Sequence, residues 1–267
     1  MQRQPAVAGQ FYTGSPQQLR AELATLIPAT ETKRKVHGII SPHAGYMYSG
    51  PVAGKVYGAI ELPPTALILG PNHHGIGAPA GLYPDGEWLT PLGTVTVNAR
   101  LNALIRKHAP LVQFDSVSHQ FEHSLEVQVP FIQYLRPDVT IAAICLGFGD
   151  YHTADALGRG IAAAIREYGG DVLIVASSDM THYESAESAR HKDDRALERV
   201  GAFDPEGLMR ICRSEHITMC GVVPAAVMLT AARELGATRA ERVAYATSGD
   251  VTGDNRQVVG YAAVAVW

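Results

Sequence analysis

Histidine, aspartate and serine recur in this chain where apolar runs end. Ser41-Pro42-His43-Ala44-Gly45-Tyr46 follows the apolar residues 36–40, and Gly70-Pro71-Asn72-His73-His74-Gly75 follows 66–69. Ser177-Ser178-Asp179-Met180-Thr181-His182-Tyr183 follows 172–176 in the same way. A short apolar, β-branched run bounded by a polar turn reads as a buried strand emptying into a loop. In open α/β sheets, ligand sites form beyond the carboxyl ends of the strands. Strands of this kind would deliver His43, Asp179, His182 and a histidine of the His73-His74 pair to one edge. Imidazoles gathered there bind transition metals or move protons. His73 and His74 are adjacent, so one of them points inward, and spacing alone does not say which.

Cys220 stands just before Gly221 and an apolar, small-residue stretch. At a helix N-terminus the unpaired amides favour thiolate, so a lowered thiol pKa and a metal-binding sulfur are expected there, against the plain alternative of a buried, inert cysteine. Cys145 and Cys212, inside their own apolar segments, read as inert. His119 and His123 are four apart, as are Glu122 and Glu126. On a helix each pair would share one face, so a separate two-histidine site is conceivable, but lining the main pocket fits them better. Other chemistries lack their signatures. Residues 249–253 carry no Lys-Ser/Thr ending of a phosphate loop, and Ser177 and Ser178 lack a Gly-x-Ser-x-Gly elbow.

The elements that must position these residues alternate. Strands are expected at 36–40, 66–69, 139–146, 172–176, 242–247 and 258–266. Helices are expected from a cap at Ser15 and at 50–61, 98–108, 122–135 (kinked or broken at Pro130), 153–168, 184–200, 204–212 and 221–235 (interrupted early at Pro224). Residues 75–97, rich in Gly and Pro, read as a hairpin-bearing insertion near the site. Alternation predicts a three-layer α/β/α sandwich in one domain, 1–267. The last two strands, joined without a long helix, make the mainly parallel sheet mixed.

Composition bounds the partners. Of 267 residues, 46% are hydrophobic and 18% charged, enough for a large core. The 22 basic and 26 acidic residues are well mixed, so neither nucleic acid nor a membrane surface is expected as a partner. No stretch is apolar enough to span a bilayer, and the N-terminus lacks a signal-peptide core. The three cysteines form no Cys-x-x-Cys pair, which fits reduced cytoplasmic thiols.

Several ordered segments together resemble one family. They are residues 5–12 (Pro-Ala-Val-Ala-Gly-Gln-Phe-Tyr), Pro42-His43-Ala44-Gly45-Tyr46, Gly70-Pro71-Asn72-His73-His74, Glu122-His123-Ser124-Leu125-Glu126, Ser177-Ser178-Asp179-Met180-Thr181-His182 and Cys220-Gly221. The chain resembles the Memo family, whose prokaryotic members are called AmmeMemoRadiSam system protein B. The resemblance implies a fold like that of the class III extradiol dioxygenases, which hold Fe(II) with two histidines and a carboxylate. Carried over, it implies metal ligands His43, His74 and Cys220. His182 would be the acid/base and Asp179 its neighbour, with His73, Glu122 and His123 around the pocket. Thiolate in place of carboxylate makes Cu or Zn fit beside Fe(II). The implied function is a redox protein of unknown substrate. The rivals are a non-catalytic metal- or peptide-binding scaffold and a zinc-dependent hydrolase. The implied ligand is a small, aromatic molecule or a peptide, and the implied partners are a radical-SAM protein and an AMMECR1-domain protein.

Overall fold

All of residues 1–267 are described in a computed structural model. The strands are β1 (Gln2–Arg3), β2 (Gly38–Ser41), β3 (Thr65–Pro71), β4 (Ala80–Leu82), β5 (Glu87–Thr90), β6 (Gly93–Val97), β7 (Gln113–Phe114), β8 (Thr140–Leu146), β9 (Val172–Ser177), β10 (His182–Glu184), β11 (Ala240–Thr247) and β12 (Val258–Val266). The helices are α1 (Pro16–Leu26), α2 (Tyr46–Ala59), α3 (Ala99–His108), α4 (Val129–Leu135), α5 (Tyr151–Tyr168), α6 (Ala186–Gly201), α7 (Pro205–Ser214), α8 (Val222–Glu234) and the short α9 (Gly249–Thr252).

The strands join one mixed sheet in the order β1-β5-β6-β8-β3-β9-β2-β12-β10. Its middle, β6-β8-β3-β9-β2, is parallel throughout. The antiparallel pairs are β5 on β6, β4 on β8, and those around the closing strand, where β10, β11 and β2 all pair with β12. Parallel strands are buried on both faces, so β3 and β9 are apolar without alternation. Successive side chains still point to opposite faces. Leu67 and Leu69 join a core under α5, α7 and α8, while Ala66 and Ile68 join a second core under α1 and α2. This is the expected three-layer sandwich, and the 75–97 hairpin is β5–β6.

Local chemistry sets the helix starts. The side chains of Ser15, Asn98, Asp150, Ser185 and Asp204 each accept from a backbone N–H in the first turn, which satisfies a donor the helix leaves unpaired. Two expectations fail. The helix expected over 122–135 begins only at Val129, after a 3-10 turn at Glu126–Gln128. Pro130 falls in the first turn of α4, where its missing N–H costs nothing, so it starts the helix instead of kinking it. Pro224 likewise sits in the first turn of α8 and interrupts nothing.

The register levels the loops that matter. Ser41 pairs with Ser177, and Leu69 with Ala176, so β2, β3 and β9 end together at one edge. No helix is long and apolar enough to cross a membrane.

Candidate metal centre

One ring nitrogen from each of His43, His73 and His123 lies within 4.8 Å of the other two. His43 meets His73 and His123 edge-on, while His73 and His123 stack with centroids 4.7 Å apart. His43 follows β2 and His73 follows β3. His123 comes from the irregular segment before the 3-10 turn, so it reaches the cluster from a loop.

The hydrogen bonds fix the His43 tautomer. Ser177 Oγ donates to Ser124 O at 2.6 Å and accepts from Gln128 Nε2 at 2.8 Å. The orientation of the Gln128 amide is set by Tyr57, whose hydroxyl donates to Gln128 Oε1. The one proton on Ser177 is therefore committed, and the 2.9 Å contact with His43 Nδ1 requires Nδ1 to be the donor. His43 Nε2 keeps its lone pair. Burial, with His123 and His73 nearby, holds the His43 pKa well below its ordinary value, so the ring is neutral.

Glu122 does the same for His73. Its buried carboxylate accepts from His73 N at 2.7 Å, from Ser124 N at 2.9 Å and from His73 Nδ1 at 2.8 Å. Burial alone would raise the Glu122 pKa, but the His73 ring and these backbone N–H groups outweigh it and pull it well below the usual carboxylate range. A carboxylate gripping Nδ1–H leaves Nε2 as the donor toward a metal, the usual outer support of histidine ligands. His123 Nδ1 lies 3.5 Å from the same carboxylate. Burial pushes His123 down to about 4 despite Glu122, so it too is neutral near neutral pH.

Three imidazoles form a donor set that suits Zn, Cu, Fe or Ni. Three nitrogens sharing an ion at about 2.1 Å each stand about 3.0–3.6 Å from one another, so capture needs ring nitrogens now within 4.8 Å to close by up to about 1–2 Å. The residues fit a metal.

The ligand set implied by resemblance differs from this cluster at two members, His74 and Cys220. The His74 side chain is exposed, its Nε2 donating to or facing Phe121 O at 3.0 Å, outside the tripod. Consecutive side chains diverge, and Glu122 binds both the backbone N–H and the ring of His73, which holds His73, itself exposed, against His43 and His123. Cys220 borders the tripod, with Sγ 3.2 Å from His43 Nε2. The lowered thiol pKa expected for it is not found. Burial, and then the Asp179 charge, raise it strongly, because loss of water outweighs the helix N-terminus. Cys145 and Cys212 are buried thiols with raised pKa values, as expected.

Asp179 and His182 line one cavity, but Asp179 does not orient His182. Asp179 Oδ1 accepts from His43 N at 2.7 Å, tying the third loop to the first. Burial pushes its carboxyl up to about 6, against that hydrogen bond. His182 is set by Thr218. Its backbone N–H donates to Thr218 Oγ1, and Nδ1 donates to Thr218 O at 3.0 Å, which leaves Nε2 an acceptor. His119 stays outside the cluster. It is buried against Tyr83 and Trp88, with Nε2 donating to Gly81 O.

The cavity holds about 540 Å³ and is shared by His123, Asp179, His182, Phe11 and Tyr48. Its N-terminal wall is a strap that periodicity gives no hint of. Buried Glu126 accepts from Arg3 Nη1, Ala6 N, Val7 N and Tyr12 Oη, all within 3.0 Å. Arg3 also donates to His119 O and Glu122 O, and Phe11 packs on the His123 ring at 4.8 Å. One carboxylate thus pins the first twelve residues over the loop that carries His123. A larger cavity, about 1110 Å³, opens at the amino ends of the strands beside Lys35, Glu61 and Trp267, away from these imidazoles.

Fold and site together define an α/β sandwich protein with a cluster of three histidines that could hold a metal ion at the carboxyl edge of its sheet. Residues 3–265 match the family described as Memo-like protein, and the chain belongs to that family. It is 41% identical over 274 residues to a MEMO1 family protein of Methanothermobacter thermautotrophicus, covering 98% of this chain and 99% of the relative. It is 44% identical over 262 residues to one of Aquifex aeolicus, covering 97% of each. Among solved structures, uncharacterized protein JW3007 of Escherichia coli K12 shares the fold. The TM-score is 0.56 at 12% identity, over 86% of this chain and 100% of that one.

Proposed function

We propose that this Memo-family chain holds one iron or copper ion on His43, His73 and His123 and performs redox chemistry on a small molecule admitted through the 540 Å³ cavity. The observation that carries this is the preset state of the rings. His43 and His73 each have Nδ1 tied to a fixed acceptor, which leaves the lone pair on the opposite nitrogen; at His43 that nitrogen faces the Cys220 thiol at 3.2 Å. An ion held by three protein donors supplies a Lewis-acid and redox centre with open positions for a ligand. The chain's own groups manage protons beside it. His182 Nε2 accepts one, held in place by Thr218, and Asp179, with its carboxyl near 6, gives or takes one close to neutrality. The likeness to class III extradiol dioxygenases implied by the sequence supports oxygen-dependent chemistry on phenols.

Cys220 supports a second ligand set. Its sulfur, 3.2 Å from His43 Nε2, is the alternative third donor in place of His123. A sulfur ligand shifts the preference toward copper or zinc.

The test is anaerobic purification, loading with Fe(II), Cu or Zn, and measurement of bound metal and of O2 uptake over a panel of phenols. Uptake only with iron or copper, abolished by His182→Ala with metal retained, supports a redox enzyme. Stoichiometric metal with no turnover on any phenol points instead to a metal-binding scaffold. No retained metal overturns both.

A further inference from the structure

The cavity beside the imidazoles has an uneven distribution of charge. Two carboxylates line it, Glu22 from α1 and Asp179 from the loop after β9, and no Lys or Arg side chain does. Neither carboxylate is in an ion pair elsewhere. Asp179 has Oδ1 engaged by His43 N, whereas Glu22 has an oxygen buried without any hydrogen-bonding partner. Burial raises the Glu22 pKa, which marks how poorly water compensates its charge. Between the two lies an apolar wall built by Phe11, Met47 and Tyr48, and Met47 is 65% exposed at the mouth. The volume suits a small-molecule ligand.

We infer that this cavity selects a ligand with an aromatic or similarly flat apolar body and an ammonium group that pairs with Glu22, and that it rejects anionic ligands of the same shape. The inference rests on the cavity being the substrate chamber proposed above. A carboxylate with one oxygen buried and unpaired in a partly dry wall is a standing cost that a ligand cation reduces. A ligand carboxylate placed there meets two like charges and no counter-ion, and such repulsive elements are what separate otherwise equal ligands. Glu22 is carried into the chamber by α1, whereas His123 and His182 are carried there by segments beyond the strand ends. A bound amine therefore points its other end, a hydroxyl or a ring edge, toward His123 and His182.

Three phenols that differ only in the charge of the substituent test this: tyramine, 4-ethylphenol and 4-hydroxyphenylacetate. Their affinities for the full chain are measured calorimetrically at neutral pH, without metal. Tyramine is expected to bind about tenfold tighter than 4-ethylphenol, with the acid weakest. Glu22→Gln should erase the advantage of tyramine over 4-ethylphenol, and Glu22→Lys should reverse the order of amine and acid, each in protein with an unchanged circular dichroism spectrum. An acid that binds as tightly as the amine, an amine advantage that survives both substitutions, or no binding by any of the three overturns the inference. Metal-free measurement keeps the two questions apart. A failure of metal binding or turnover leaves this charge ranking intact, and a flat ranking leaves the metal centre intact.

Discussion

Replacing Glu122 by Gln removes one charge and almost no volume, at the point where the tripod is fixed. The carboxylate accepts from His73 N, His73 Nδ1 and Ser124 N at 2.7 to 2.9 Å. An amide offers one accepting oxygen, and its NH2 must face at least one of those donors. Each charge-assisted bond that becomes neutral loses roughly half its strength, and a donor left facing a donor costs about 1–3 kcal/mol. Unfolding free energy should therefore fall by about 1–3 kcal/mol. Metal affinity should fall further than one bond suggests, because His73 loses the partner that sets its tautomer. Outer partners of this kind are worth about 10- to 100-fold in affinity, or about 1.4–2.8 kcal/mol. The assay is competition for Zn(II) against a chromophoric chelator at neutral pH, with denaturant unfolding run on the same protein. A folded Glu122→Gln chain that binds zinc as tightly as the parent refutes the reasoning that Glu122 presets His73.

Other outcomes follow from the same geometry. His74→Ala should leave zinc affinity within about twofold, since an exposed side chain outside the cluster contributes little, whereas His73→Ala should abolish tight binding in the same chelator assay. Glu126→Ala leaves Arg3 buried without its partner and should cost about 3–5 kcal/mol. Hydrogen exchange should then rise in residues 3–12 before it rises in β3 or β8. Burial holds His119 down at about 4 in the folded chain against 6.5 ordinarily. The unfolded chain therefore binds the extra proton. Stability from this group is full above 6.5 and is lost as pH falls from 6.5 to 4, by up to about 3 kcal/mol. His123 and His43 add in the same direction. His119→Gln should flatten the dependence of unfolding free energy on pH across that window, and an unchanged slope would contradict the assignment.

The strands were legible because 36–40, 66–69 and 172–176 are short apolar runs, and the turns after them announced His43, the His73-His74 pair, Asp179 and His182. The choice between His73 and His74 was not legible. It is made by Glu122, 49 residues away along the chain. His123 was sought on a helix face, because the Glu/His spacing suits one. The fold instead uses Glu122 and Glu126 as acceptors for distant backbone, and that holds the segment irregular. For Cys220 the local rule pointed to a lowered pKa, but burial and Asp179 act in the opposite sense and win. Gln128, Thr218 and Arg3 carry no sequence signal, and Ser177 and residues 5–12 enter the sequence reading only as parts of a turn and of the family resemblance, with no structural role attached. The polar residues among them are ordinary until the fold gives them partners.

X-ray absorption at the metal edge, on the loaded protein and on His73→Ala and His74→Ala, tests the central claim most directly. We predict imidazole scattering in the parent, unchanged by His74→Ala and lost with the metal in His73→Ala. A spectrum without imidazole scattering, or one that His74→Ala abolishes and His73→Ala does not, would contradict a centre built on His43, His73 and His123.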